Sequence, residues 1–133
     1  NGGEVTGVIT ESLADREIAH PRVTSLIVTT DMHERKKTMY DLADAFIALP
    51  GGMGTLEEVF EAATWTKLGM HRNGIYKPVV LLDNGEFWKD MIRFLDFQVS
   101  AGFVSQKSRE IVCSAYTVDQ AIELAMKNPQ INQ

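Results

Sequence analysis

This chain has a single cysteine, no long apolar run and fewer basic than acidic residues, and each shortage excludes something. Cys113 cannot form an internal disulfide, so a reducing, cytoplasmic setting is the default. Its apolar neighbours Ile111 and Val112 predict a buried thiol. No run approaches the roughly 20 apolar residues that span a bilayer, so no membrane partner is expected. Thirteen Lys and Arg against 18 Asp and Glu give a net charge of −5, which argues against a nucleic-acid partner and leaves room for a local positive pocket. His20, His33 and His71 show no metal-ligand spacing, and no H-E-x-x-H or paired-cysteine motif occurs, so no metal site is expected. There is no G-x-S-x-G elbow, internal repeat, low-complexity tract or linker.

What is present fits a globular protein. Hydrophobic residues make up 44% of the 133 positions and charged residues 23%, enough for one domain over residues 1–133 with one sizeable core. Asn1-Gly2-Gly3 reads as the cap of a preceding helix, so the chain is expected to be the larger part of a domain. Apolar patterning then alternates strand and helix. Strands are predicted over 4–10, 25–29, 45–49, 79–82 and 111–113. Between 10 and 21 the chain reads as irregular. Helices are predicted over 32–43, 56–68, 87–99 and from Thr117 to about Asn128. Asp31 with Glu34, and Thr117 with Gln120, form capping-box patterns, while Gly69 and Gly102 stop helices. This order implies βαβ units, a mostly parallel sheet and helices on both faces.

In such sheets ligands bind outside the carboxyl ends of the strands. Two turns fall there. One is Asp31-Met32-His33-Glu34-Arg35-Lys36, the other Pro50-Gly51-Gly52-Met53-Gly54-Thr55-Leu56-Glu57-Glu58. The second is strand, glycine-rich turn, helix. Backbone N–H groups freed by such a turn, with the positive end of a helix dipole, form a seat for phosphate. It is neither a Walker loop nor G-x-G-x-x-G. If the two strands are neighbours, Arg35 and Glu58 both lie in the first turn of their helices and can face one cleft.

Each feature also has a plainer reading. The glycines serve a tight turn. Thr55-x-x-Glu58 is a capping box. Arg35, Lys36 and Lys37 form a basic helix face. Against the last, cations near a helix N-terminus oppose the dipole, which favours a bound anion or a role for Arg35 in the cleft. Phe60, Trp65 and Leu68 read as core or subunit-interface residues.

The two motifs together resemble the LOG ("lonely guy") family of cytokinin riboside 5′-monophosphate phosphoribohydrolases, once labelled possible lysine decarboxylases. The resemblance continues through Ala63-Thr64-Trp65-Thr66-Lys67-Leu68-Gly69-Met70-His71, Lys77-Pro78-Val79, Gly7-Val8-Ile9 and Ala101-Gly102-Phe103. It implies a Rossmann-like three-layer α/β sandwich, with an N-terminal strand and helix of the family absent from this stretch. It implies hydrolysis of the N-glycosidic bond of a nucleoside 5′-monophosphate, AMP or a cytokinin nucleotide, without cofactor, by a homodimer. By match, Arg35 and Glu58 take the catalytic positions. Gly51, Gly52, Met53, Gly54, Thr55, Leu56 and Glu57 take the nucleotide-binding loop, with Met32, Lys36, Thr64 and Glu17 as further substrate-contacting positions. Arg72-Asn73-Gly74-Ile75-Tyr76 lengthens the family's usual link ahead of Lys77-Pro78. The competing reading is a non-hydrolytic nucleotide or molybdenum-cofactor carrier. A lysine decarboxylase is disfavoured, because no Schiff-base lysine with an acidic ring-nitrogen partner is visible.

Overall fold

The computed structural model describes residues 2–14, 20 and 22–127. The chain forms two compact units, residues 1–43 and residues 44–133. In the first, β1 (Thr6–Thr10) and β2 (Ser25–Thr29) pair in parallel, Thr6 opposite Ser25 and Thr10 opposite Thr29. A single turn, α1 (Glu11–Ala14), follows β1 where irregular chain is predicted, since four residues are too few to show an apolar period. Helix α2 (Met32–Leu42) packs on both strands and buries Lys36 and Tyr40.

The second unit holds β3 (Phe46–Ala48), α3 (Met53–Leu68), β4 (Val79–Leu82), α4 (Lys89–Ser100), α5 (Gln106–Arg109), β5 (Val112–Ala115) and α6 (Val118–Met126). Its three strands run in the order β3-β4-β5, all parallel, with β4 central. Val79, Val80 and Leu81 have no solvent exposure. Burying a side chain of this size contributes about 1.5–3 kcal/mol, so β4 anchors the unit. Val80 clusters with Ala115 of β5 and Ala121 of α6, and Leu82, Leu124 and Ala125 pack around them. Strand alternation turns Val79 and Leu81 to the opposite face. Helix α3 packs on β3 and β4 and buries Val59 and Ala62. The fold class is therefore the one predicted, α/β of Rossmann-like character with parallel strands and intervening helices.

Several boundaries differ from expectation. Helix α3 begins at Met53, not Leu56, so the glycine turn itself enters the helix. Helix α4 begins at Lys89, because Asp83 takes the N–H groups of Phe87 and Trp88 (2.6 and 3.1 Å) in a tight turn ahead of it. Helix α5 is unpredicted, although Ser105 caps it by accepting from Ser108 N–H. Strand β5 runs to Ala115, two residues past the predicted end at Cys113. Phe60 and Leu68 are exposed and lie outside the core. The Cys113 thiol is half-buried, and burial pushes its pKa up. The lengthened link forms one 3₁₀ turn (Arg72–Gly74), in which Asn73 (φ 60°) and Gly74 (φ 64°) are left-handed. Gly69 ends α3 in the left-handed conformation, as predicted.

His71 fastens this link down. It is buried, and its ring lies 5.8 Å from both Phe46 and Trp65. The Thr66 hydroxyl lies 2.7 Å from the Lys77 carbonyl and 3.0 Å from His71 Nε2. A carbonyl can only accept, so Thr66 gives its one proton to Lys77 and receives one from Nε2–H. The pattern assigns the Nε2–H tautomer and makes His71 a structural pin between α3 and β4.

Candidate nucleotide-binding site

The carboxyl end of β3 leads straight into α3. Gly52 is the N-cap, and no side chain caps this helix. Leu56 N–H reaches the Gly52 carbonyl at 3.1 Å. The N–H groups of Met53, Gly54 and Thr55 have no acceptor among the described residues. Thr55 is therefore a residue of the first turn and not its cap, which removes the capping-box reading of Thr55 and Glu58. Glu58 falls in the second turn, not the first. It stands one turn beyond Thr55 on the same side of the helix. Glu58 is half-buried and makes no side-chain hydrogen bond or ion pair with the described residues.

The three glycines do different things. None has a positive φ. A Cβ on Gly51 would run into the Thr55 hydroxyl and come within 2.9 Å of Thr55 Cβ. Glycine is required there by the chain's own packing. A Cβ on Gly52 or Gly54 would meet nothing within 4 Å. Neither backbone angle nor crowding within the chain calls for glycine at these two positions. Gly52 stands at the N-cap, where glycine is favoured over alanine, but Gly54 lies within the helix and costs up to about 1 kcal/mol relative to alanine with no crowding to explain it. Met53, between them, is 83% exposed. Leu56 is half-buried and Glu57 exposed.

In the other unit β2 leads into α2, whose start is closed by side chains. Asp31 accepts from Glu34 N–H at 2.8 Å. Glu34 in turn accepts from the N–H and hydroxyl of Thr30, both at 2.8 Å. These bonds hold the Glu34 carboxyl below its usual pKa. The predicted cap is present, with its return bond reaching one residue further back than in the standard box. Met32 is exposed at the first helical position and Lys36 is buried. Arg35 lies in the first turn, and its Nε is buried with no hydrogen-bond partner among the described residues.

Thr64 sits elsewhere on α3. Six residues past Glu58 carry it about 120° around the axis, so the two side chains leave the helix in different directions. It lines a groove of about 210 Å³ with Phe60, Lys67, Leu95 and Arg109. Glu17 lies outside the described residues. Sequence reasoning did not find the contact of Thr55 with Gly51 or the burial of Lys36. Helical spacing could have exposed the second, since Lys36 and the buried Tyr40 are one turn apart.

The sequence model of a family described as "Possible lysine decarboxylase" matches residues 1–125. The chain belongs to this family, the LOG family. Among its relatives is a protein of Rhodococcoides fascians named cytokinin riboside 5′-monophosphate phosphoribohydrolase, 47% identical over 116 residues. That match covers 85% of this chain and 57% of the relative. Arabidopsis thaliana LOG2, of the same enzyme name, is 45% identical over 92% of this chain and 56% of its own length. The Oryza sativa subsp. japonica LOG protein is 46% identical over 95% of this chain and 49% of its own length. The chain thus spans about half the length of the curated LOG relatives it matches. Both motif turns of this LOG-family chain, Asp31–Lys36 and Pro50–Glu58, fall inside the matched range.

Proposed function

We propose that the protein hydrolyses the N-glycosidic bond of a nucleoside 5′-monophosphate, either a cytokinin riboside 5′-monophosphate or AMP. The observation that carries this is the uncapped start of α3, where three N–H groups and two unobstructed glycines leave a cradle for phosphate. The names of relatives 45–47% identical favour this reaction over the decarboxylation in the family description. Water oxygen bonds to ribose C1′ as the C1′–N9 bond breaks. The bonding pair leaves with the base, which takes up a proton, and ribose 5-phosphate remains. Glu58 offsets the positive charge of the oxocarbenium-like transition state and orients the water. Thr55 and the loop from Gly51 to Glu57 bind the 5′-phosphate and so place the sugar. Arg35 supplies charge to the phosphate or the departing base through its planar fork of donors. Met32, Lys36, Thr64 and Glu17 serve as further substrate contacts.

We read the protein as a cytoplasmic homodimer. Phe60, Phe94, Phe97 and Phe103, on α3, on α4 and just beyond it, are all more than 40% exposed, which favours a covered face. Light scattering at micromolar concentration should give twice the chain mass.

The deciding experiment offers AMP and N6-isopentenyl-AMP to the full protein and measures released base. Glu58→Gln should lower the rate by about 100-fold or more while the melting midpoint stays put. Equal rates in the two proteins would take Glu58 out of the mechanism. Tight nucleotide binding without base release would replace hydrolysis with carriage.

A further inference from the structure

We propose that Glu34 is a positioning residue for Arg35, acting through its clasp on Thr30. This rests on the reading of Arg35 as a substrate-contacting group. Three bonds close the turn from β2 into α2. Asp31 holds Glu34 N–H, and Glu34 Oε2 holds both the N–H and the hydroxyl of Thr30, each at 2.8 Å. The neighbouring Thr29 hydroxyl donates to the Ile9 carbonyl of β1 (3.2 Å) and reaches the Asp31 carbonyl (3.3 Å). Arg35 N–H ends on that same Asp31 carbonyl at 3.1 Å. The backbone that carries Arg35 is therefore tied to both strands of its unit.

A second box in the chain shows what an ordinary cap needs. At α6, Thr117 accepts from Gln120 N–H (3.2 Å), and Gln120 accepts from Tyr116 N–H (2.8 Å). That box has two bonds and no charge. The α2 clasp adds a hydroxyl donor and an ionised acceptor, and hydrogen bonds to ionised groups are roughly twice as strong. The charge has a task there. Arg35 and Lys36 stand in the first turns, where the helix dipole opposes cations, and Glu34 offsets that field. Arg35 Nε is buried with no partner among the described residues, so no bond to those residues at that atom fixes the side chain. Its placement depends on the backbone beneath it. A misplacement of about 1 Å in a catalytic group can cost about 100-fold in rate.

The test compares Glu34→Ala, Glu34→Gln and Gln120→Ala in the full protein. Two readouts are used: kcat and KM for N6-isopentenyl-AMP, and the Arg35 Nε–H resonance by NMR with its exchange rate. Both alanine variants should lower the melting midpoint, Glu34→Ala the more, since it deletes two charge-assisted bonds and Gln120→Ala one neutral bond. Only Glu34→Ala should drop kcat, by about tenfold or more, and speed exchange at Arg35 Nε–H. Glu34→Gln, which can still accept from Thr30, should recover most of both. Equal kcat losses in the two alanine variants, or an unmoved Nε–H resonance in Glu34→Ala, would overturn the proposal. If Glu34→Ala does not fold, Thr30→Val deletes one bond and carries the same comparison. A wild type that releases no base ends the reaction assigned above, and the Nε–H resonance then decides the clasp alone.

Discussion

Helices α2 and α3 both leave a strand at its carboxyl end, yet their first turns are built in opposite ways. The start of α2 is closed, with Asp31 and Glu34 taking up backbone donors at 2.8 Å. The start of α3 is open, with Gly52 at the cap and no side chain reaching back. A helix leaves its first N–H groups without internal partners, and most chains satisfy some of them with a cap worth about 1 kcal/mol. At α3 the cap is a glycine with no side chain to bond the free donors, and a side chain at 52 or 54 would meet nothing in the chain. The difference separates a turn whose donors are taken up by side chains from a turn whose donors are left open.

Closing the open turn should have the largest effect. Gly52→Asp has room for its side chain and would cap α3 with a carboxylate. Stability should rise by about 0.3 kcal/mol in a urea titration, because glycine is already a fair N-cap. Nucleotide affinity should fall about 100-fold by calorimetry, the equivalent of one or two charge-assisted hydrogen bonds. Unchanged affinity would mean that phosphate does not sit there.

A smaller effect separates the glycines. Gly54→Ala should leave stability unchanged or raise it by up to about 1 kcal/mol, and still raise KM. Gly51→Ala should destabilise by roughly 1–3 kcal/mol, because its new methyl meets Thr55. Thermal melts of the two variants side by side check this, and similar melts would erase the distinction.

The smallest effect concerns the closed turn. Thr30 holds the Glu34 carboxyl below its ordinary pKa. A depressed carboxylate contributes stability above its unfolded pKa and loses it as pH falls through the lower folded value. Wild type should therefore be slightly more stable than Glu34→Gln at neutral pH. The gap should close on acidification below the ordinary carboxylate value of about 4. Urea midpoints at several pH values measure it.

The sequence reveals the elements where one local rule acts alone. Strands β2 and β4 are found to the residue, because continuous apolar runs end in turn residues on both sides. The caps at Asp31 and Thr117 are equally plain, since oxygen-bearing residues stand at the right spacing. The start of α3 misleads because Thr-x-x-Glu imitates a cap while glycine argues against helix. The first turn needs few internal hydrogen bonds, so glycine is tolerated there and the imitation fails. Helices α1 and α5 have four residues each, too few for a period to emerge. Of the candidate site, the two motif turns are legible, and the burial of Arg35 Nε and Lys36 is not, since burial depends on what folds over each side chain.

Positions 51 and 55 behave as one structural letter written with two residues. Because the threonine leans into the space that a side chain at 51 would need, enlarging the first demands shrinking the second. A library that varies residue 51 while keeping Thr55 should yield mostly damaged proteins. One that pairs Gly51→Ala with Thr55→Gly should recover folded chains that lack the hydroxyl. Such pairs would reveal how much of the turn's persistence is owed to packing between these two positions.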